Sequence, residues 1–186
     1  MDTHTTDTDE VIAQEALQNE AAFGVLIDRY DGKLRRYTRR LGVHSPDDQD
    51  DVLQEIFIKV YRNLNGFDTS LSFSSWIYRI AHNEAISFYR KRNARPEGHL
   101  VESSEEIIAL ISENGNGAEE DLNTTIDIDR MNTALDALDQ KYREVLILRF
   151  FEYKEYDEIS DILKIPIGSV GTLIHRAKKK LKTSLT

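Results

Sequence analysis

Cations and hydrogen-bond donors share one side of the last helix that the sequence predicts, over residues 169–182. At about 100° per residue, an apolar stripe follows the other side and comprises Val170, Leu173, Ile174, Ala177 and Leu181. The polar side has no acidic residue and comprises Thr172, His175, Arg176, Lys179 and Lys182, with Ser169 at the helix start. Donors for base edges and cations for phosphates are what a reader of the DNA major groove needs. The alternative is a solvated helix end, since lysines near a C-terminus also suit the helix dipole.

A short turn before this helix favours DNA contact. Residues 164–168, KIPIG, place a proline and a glycine between this helix and a shorter one predicted over residues 156–163. Two helices joined by a tight turn are typical of helix-turn-helix units. Upstream, Met131, Leu135 and Leu138 form a short amphipathic segment, and Asp139 is a candidate cap for the helix that follows.

Three further amphipathic helices are predicted in the first half, where apolar residues recur three and four apart. Their stripes are Phe23, Ile27, Tyr30, Leu34, Tyr37 and Leu41; then Val52, Ile56, Val60 and Leu64; then Trp76, Ile77, Ile80, Ala81, Ile86 and Phe88. The third helix also carries polar residues of types that hydrogen-bond base edges, namely Arg79, His82, Asn83 and Ser87. We interpret Trp76 as a core residue. Gly66 and the residues after it indicate a helix end and a loop.

An acidic run opens the second of these helices. Pro46 and the acids of residues 47–51 are typical of a first helical turn. One side offers acceptors for the arginines of a partner, from Asp50, Asp51, Gln54 and Glu55. From the residues alone, a solvated helix start is the preferred explanation of this run. A metal-dependent nuclease is disfavoured, because adjacent acids fan out around a helix and do not converge on a cavity.

The composition excludes several classes of protein. The 186 residues include no cysteine, which rules out disulfides, iron–sulfur clusters and cysteine nucleophiles. The five histidines are far apart in sequence, so no short metal-ligand motif is present. No apolar run approaches the ~18 residues of a membrane span, and residues 1–10 lack the features of a secretory signal. We therefore expect a cytoplasmic protein.

Charge divides the chain into four segments. The net charge of −9 comes from 24 basic and 33 acidic residues, which by itself argues against a nucleic-acid binder. The acids concentrate in an N-terminal extension, residues 1–19, and in a linker, residues 97–130, for which we predict a short helix at Ser104–Ile111. The helical segments 20–96 and 131–186 carry a small excess of bases. We predict two small all-α domains on an acidic linker, behind an extension that is either disordered or regulatory.

Four motifs together resemble one family. The segments YDEISDILKIPIGSV (156–170) and HRAKKKL (175–181) resemble region 4 of extracytoplasmic-function (ECF) sigma factors, which belong to the sigma-70 family. In that family, region 4 reads the −35 element. Independently, DDVLQEIF (50–57) resembles the region 2 helix that docks on the RNA polymerase clamp, and FSSWIYRIAHN (73–83) resembles the helix that reads the −10 element. The motifs follow the family's order and spacing.

The resemblance implies a specificity subunit of bacterial RNA polymerase that is not an enzyme. It would have no catalytic residue, metal, cofactor or small-molecule substrate. It would bind the core enzyme at the clamp of the largest subunit and at the flap, read promoter DNA at both elements and assist promoter opening. Family members are commonly inhibited by an anti-sigma factor, often membrane-anchored, so such a partner is implied, and it could hold the protein at the inner membrane face.

The resemblance also assigns candidate site residues. Polymerase docking is assigned to Asp50, Asp51, Gln54, Glu55, Ile56 and Phe57. Reading of the −10 element is assigned to Phe67, Asp68, Thr69, Ser70, Arg79, His82, Asn83, Ser87, Arg90, Lys91 and Arg92, with Arg95 as a further phosphate contact. Reading of the −35 element is assigned to Ser169, Thr172, His175, Arg176, Lys179 and Lys182. The reach of the linker, ~110 Å, exceeds the ~70 Å between the two elements, so the linker can bridge them. The resemblance implies that it threads toward the polymerase cleft.

Some positions depart from the family pattern. Gly171 stands where the family often has lysine, and it either lets the backbone approach DNA or weakens the contact. Leu173 replaces a frequent arginine, Glu155 a usual Ser or Thr cap, Tyr153 a common glycine and Ser87 a frequent aspartate. These positions leave the promoter sequence open. A rival interpretation is a two-domain regulator that binds duplex DNA without polymerase, which the small excess of bases disfavours.

Overall fold

The computed structural model describes residues 7–93, 135 and 137–183. Residues 7–93 contain four helices: α1 (Asp9–Glu15), α2 (Glu20–Arg40), α3 (Pro46–Asn63) and α4 (Phe73–Asn93). Residues 137–183 contain three: α5 (Gln140–Leu146), α6 (Tyr156–Leu163) and α7 (Ile167–Thr183). The helices divide into two compact units, α1–α4 and α5–α7. The predicted all-α fold class is confirmed.

Several sequence predictions fall outside the described residues. They concern the linker over residues 97–130 with its short helix at Ser104–Ile111, the phosphate contact by Arg95, and Met131 of the amphipathic segment before α5.

The core of the first unit consists of the apolar stripes that the sequence predicts. On α3, Val52, Ile56 and Val60 are at most 5% exposed, and each such side chain contributes about 1.5–3 kcal/mol through burial. At the start of α2, the buried stripe is shifted by one residue from the predicted one, because Leu26 is buried while Ile27 is half-buried. The core therefore forms where the helical period of the sequence places it, to within one residue.

The N-terminal segment contributes a helix to this unit. Thr8 caps α1, with its hydroxyl oxygen accepting from the backbone N–H of Val11 at 3.4 Å. Ile12 and Ala13 are 0% and 1% exposed, so α1 packs into the core through one short face. The sequence pattern did not indicate this packing, because a helix of about two turns with two buried residues is too short for periodicity to show.

A short 3₁₀ turn and a loop connect α3 to α4. The turn spans Leu64–Gly66, and the loop over residues 67–72 is mostly exposed. Within it, the Asp68 carboxylate accepts from the Ser70 backbone N–H at 2.9 Å. This bond gives the loop a local Asx turn. The predicted helix end at Gly66 is confirmed.

The second unit contains a helix-turn-helix. The predicted bounds of α6 are confirmed, and α7 begins at Ile167, two residues before the predicted start. Between them Lys164 has a left-handed conformation with φ of 54°, and its backbone N–H donates to the Ser160 carbonyl oxygen, which ends α6. Val170, Ile174 and Ala177 of α7 are at most 5% exposed. The apolar stripe of α7 therefore faces its own unit.

Asp139 and Tyr153 have structural roles that the sequence did not predict. Asp139 precedes α5 but makes no capping bond, because its carboxylate accepts from Lys180 Nζ at 3.0 Å. Tyr153 follows a π-helical turn at Ile147–Phe151 and has a φ of 53°, a conformation that costs most side chains about 1–2 kcal/mol. That cost explains why glycine suits this position.

Gly171 lies on the side of α7 that faces α6. A Cβ atom there would be 3.4 Å from Cε2 of Tyr156, which is ordinary contact distance. The missing side chain therefore points toward the partner helix of the helix-turn-helix, which removes the expectation that this glycine serves a close approach to DNA.

We predict that Gly171→Ala stabilises the second unit. Alanine in a helix interior is favoured over glycine by about 1 kcal/mol, and its methyl group would contact the Tyr156 ring without displacing it. Thermal unfolding checks the stability, and binding to a −35 duplex as part of the polymerase complex checks the function. A loss of DNA binding with the fold intact would restore the role of this glycine in backbone approach.

Candidate protein and nucleic-acid interfaces

The exposed acidic face of α3 lies along its first two turns. Asp47, Asp51, Gln54 and Glu55 are exposed, while Asp48 is half-buried. The Asp50 carboxylate accepts from Arg35 Nη1 at 2.6 Å, and this bond raises the pKa of the Arg35 guanidinium. The face therefore presents Asp51, Gln54 and Glu55 as acceptors, with Asp50 held against α2.

Two residues assigned to polymerase docking differ from the expectation. Ile56 is 0% exposed, because it faces the interior of the first unit, on the opposite side of α3 from Gln54. Its assignment to docking is therefore wrong. Phe57 is half-buried, so part of its ring is accessible beside the acidic face.

An aromatic cluster fixes the loop that follows α3. The Phe67 ring lies 5.3 Å from the Phe73 ring and 5.1 Å from the Trp76 ring, measured between centroids. Phe73 is fully buried, and Trp76 is half-buried, which agrees with its interpretation as a packing residue. Thr69 and Ser70 are exposed at the tip of the loop. The loop is thus anchored by Phe67 and presents small polar side chains to solvent.

An open groove separates this loop from α1. Its volume is about 500 Å³, and its walls are Thr8, Glu10, Val11 and Gln14 on one side and Thr69, Ser70, Leu71 and Ser72 on the other. Glu10 also reaches the start of α4, where its Oε1 accepts from the Phe73 backbone N–H at 2.9 Å. The walls combine hydroxyl and amide groups with two exposed aliphatic side chains.

The outer face of α4 is narrower than the sequence predicted. Asn83, Ser87, Arg90 and Lys91 are exposed, and Arg79 is half-buried. Arg92 is exposed but its guanidinium donates to the Asp48 carboxylate at 2.5 Å, so this cation is already paired with α3. The face keeps two hydrogen-bonding residues in its middle and cations near its end.

His82 does not belong to this face. It is 9% exposed, and its Nδ1 lies 3.2 Å from the Tyr37 hydroxyl oxygen of α2. Burial, with the nearby positive charge of Arg90, lowers the pKa of His82 to about 4. The assignment of His82 to DNA reading is therefore wrong, because the ring points into the unit and is neutral near pH 7.

The outer face of α7 presents the predicted DNA-reading residues. Thr172, His175, Arg176 and Lys179 are exposed and Ser169 is half-buried, while the side chain of Lys182 lies outside the described residues. Two neighbouring lysines turn toward their own unit: Lys178 Nζ lies 4.6 Å from the Phe150 ring centroid, and Lys180 bonds to Asp139. Among the described side chains of α7, those of Arg176 and Lys179 are exposed cations on its polar side.

The structure gives no support for a metal site or a membrane span. Within residues 7–93 and 137–183, no three His, Asp or Glu side chains converge as metal ligands. In the acidic run of α3, Asp48 and Asp50 pair with two different arginines. No helix in the same residues is both long and apolar enough to cross a bilayer.

Comparison with known proteins matches both units to one family. Residues 26–95 match the family described as "Sigma-70 region 2", and residues 128–181 match "Sigma-70, region 4". The ECF RNA polymerase sigma factor SigW of Bacillus subtilis is 32% identical over 181 residues, covering 94% of each chain. The RNA polymerase sigma factor CnrH of Cupriavidus metallidurans is 29% identical over 182 residues, covering 96% of this chain and 95% of that protein.

Solved structures agree with these matches. The structure of CnrH in complex with the cytosolic domain of CnrY has a TM-score of 0.73 and 26% identity, covering 96% of this chain and 97% of that one. The sigma factor RpoE from Bartonella quintana, solved with the anti-sigma factor NepR, has a TM-score of 0.65 and 21% identity, covering 88% of this chain and 96% of that one. The second likeness concerns the fold alone.

This chain belongs to the sigma-70 family, and within it to the ECF RNA polymerase sigma factors. It is a transcription initiation factor and not an enzyme: it binds RNA polymerase and directs it to promoter DNA. The resemblance that the four sequence motifs carry is confirmed.

The burial of His82 predicts a loss of stability in mild acid. The unfolded chain binds a proton at His82 near pH 6.5, whereas the folded chain binds it only near pH 4. The stability of the first unit should therefore fall by about 3 kcal/mol as the pH falls from 6.5 to 4. His82→Gln should lose this part of the pH dependence, measured as the difference between the two urea-unfolding profiles. Parallel profiles would contradict the assignment.

The burial of Ile56 predicts a large cost of truncation. Ile56→Ala removes buried methyl groups and should lower the free energy of unfolding of the first unit by about 2–5 kcal/mol. Glu55→Ala, one residue away on the exposed side, should change it by less than about 0.5 kcal/mol. Chemical denaturation followed by circular dichroism measures both. Similarly small effects of the two variants would contradict the burial of Ile56.

Proposed function

We propose that the exposed face of α3 docks this sigma factor on the RNA polymerase clamp. The face offers three acceptors: Asp51, and one turn later Gln54 and Glu55. The opposite side of the helix is packed into the core. Carboxylates in such a row suit bidentate pairing with arginines of a partner helix. Phe57, half-buried at the same end, supplies an apolar contact beside them.

The −10 element is read by the loop over residues 67–72 together with the outer face of α4. Thr69 and Ser70 at the loop tip are small and polar, so an unpaired base can approach the backbone there. Asn83 and Ser87 hydrogen-bond base edges, and Arg90 and Lys91 contact phosphates. An unpaired strand exposes its bases to such a surface at a lower cost than a stacked duplex, which couples reading to promoter opening.

The −35 element is read by α7 in the major groove. Its buried stripe fixes the roll of the helix, so that Thr172, His175 and Arg176 project together. Arg176 suits a bidentate contact to guanine, and Lys179 suits a phosphate. One observation supports the function above all: the same chain contains two units, and each unit has a packed inner face and matches a region of the family.

Inhibition by an anti-sigma factor is part of the proposal. Support comes from CnrH, which is 26% identical and was solved with the cytosolic domain of a second protein, CnrY. A partner that covers the outer faces of α3, α4 and α7 would block polymerase and promoter at once. Because RNA polymerase acts in the cytoplasm, we place this chain there as well, with an inner-membrane location only through such a partner.

Reconstituted transcription tests the promoter contacts. With core polymerase and a promoter library, Asn83→Ala and Arg176→Ala should each lower promoter-specific output by about 10–100-fold, since a good base contact is worth about 1–3 kcal/mol. The matched control for Arg176 is Lys178→Ala, two residues along α7, because Lys178 packs over Phe150. The control should change output less than about threefold. Equal losses for both variants would point to damage of the helix and contradict specific reading.

Binding to core polymerase tests the docking face. Asp51→Arg and Gln54→Arg should each weaken the affinity for core by at least about tenfold, because a cation replaces an acceptor opposite arginines. Glu20→Arg, which changes an exposed acid at the start of α2, should leave the affinity unchanged. Unchanged affinity in all three variants would remove α3 as the docking face.

Binding to duplex promoter DNA without core, at an affinity matching the complex, would favour the regulator alternative.

A further inference from the structure

We propose that Glu10 on α1 is a positioning residue for reading of the −10 element. It holds the start of α4, and with it the loop over residues 67–72, in the shape that receives an unpaired base. This inference rests on the proposed function, in which that loop contacts the −10 strand. The matched family region begins at residue 26, so α1 lies before it.

The first step is the hydrogen bond at the start of α4. Helix N-termini leave backbone N–H groups without intrahelical partners. Ser72 accepts from the Ser75 N–H through its hydroxyl oxygen at 3.2 Å, while the N–H of Phe73 donates to Glu10 Oε1 at 2.9 Å, 63 residues away in sequence. A carboxylate at this point also suits the positive end of the helix dipole. The start of α4 thus depends on a side chain from another helix.

The second step is that α1 is itself fixed. The Asp9 carboxylate, next to Glu10, accepts from Arg29 Nη1 at 2.7 Å and from the Tyr30 hydroxyl at 2.5 Å. Burial and this bond raise the pKa of Tyr30, so its hydroxyl remains a donor. Adjacent carboxylates therefore connect α1 to α2 and to α4, and Glu10 has a rigid base from which to hold the loop.

The third step concerns the loop. The hydrogen bonds within the loop are local. The Asp68 carboxylate accepts from the Ser70 N–H, and the Leu71 N–H donates to the Asp68 carbonyl oxygen at 3.0 Å. Its two ends are fixed by longer-range contacts, at Phe67 through the aromatic cluster and at Phe73 through Glu10. The groove of about 500 Å³ lies between this loop and α1, so the Glu10 bond sets its width.

The experiment measures binding of the polymerase complex to two DNA probes. One carries the −10 element as a single strand at a fork, and the other is a duplex with the −35 element alone. Glu10→Ala should weaken binding to the fork about tenfold, as expected for loss of a hydrogen bond to a charged acceptor, and should leave core affinity and −35 binding unchanged. Glu10→Gln keeps a carbonyl acceptor and should recover most of the loss.

Two controls separate positioning from general damage. Glu15→Ala removes an acid from the same helix, where its carboxylate accepts from Asn19 at 3.1 Å, and should bind the fork as the unmodified protein does. The fluorescence of Trp76, the one tryptophan of the chain, reports the loop directly, because its ring lies 5.1 Å from the Phe67 ring. Glu10→Ala should change this emission at temperatures where circular dichroism shows an intact fold.

Three results would overturn the inference. They are fork binding by Glu10→Ala equal to that of the unmodified protein, equal losses for Glu10→Gln and Glu10→Ala, and a parallel loss of core affinity that indicates unfolding. If the unmodified protein in complex with core does not bind the fork, the proposed −10 function fails instead. The two failures are therefore distinguishable.

Discussion

The burial of Phe73 is the constraint on which the first unit depends. Its ring is fully buried and lies 5.6 Å from both Tyr30 of α2 and Trp76 of α4, measured between centroids. Because Phe67 packs edge-to-face against the same ring, the Phe73 side chain contacts both α2 and the anchor of the exposed loop. Removing a buried aromatic ring costs about 3–5 kcal/mol. A fully buried residue therefore determines how the neighbouring polar residues are presented to solvent.

Internal ion pairs decide which charges remain available to partners. Arg92 bonds to Asp48, Lys180 bonds to Asp139, and Lys178 packs over an aromatic ring. Fewer cations therefore project from these helices without an internal contact than the number of basic residues suggests. Exposed ion pairs contribute little to stability because water and salt screen them, so a phosphate can compete for these cations. Arg176 and Lys179 are the clearest contributors to the outer face of α7.

Local pattern in the sequence predicted most of the helical architecture. Helix α6 follows from an amphipathic segment bounded by acids and by a turn with proline and glycine, and Pro46 marks the start of α3. The buried stripe of α7, from Val170 to Ala177, follows from the 3.6-residue period. Four motifs in the order typical of the family indicated membership in it. The helices and their buried stripes depend on residues within about one or two turns of each other, where the geometry of a helix leaves little choice.

What the sequence determined, then, is the set of helices, their inner faces and the family. The tertiary structure alone decided that His82 points inward and that α1 completes the first unit. These outcomes depend on partners far along the chain, since His82 meets Tyr37 across 45 residues and Glu10 meets Phe73 across 63. A helical period gives the relative directions of side chains, but the packing of neighbouring helices decides which directions remain open to solvent.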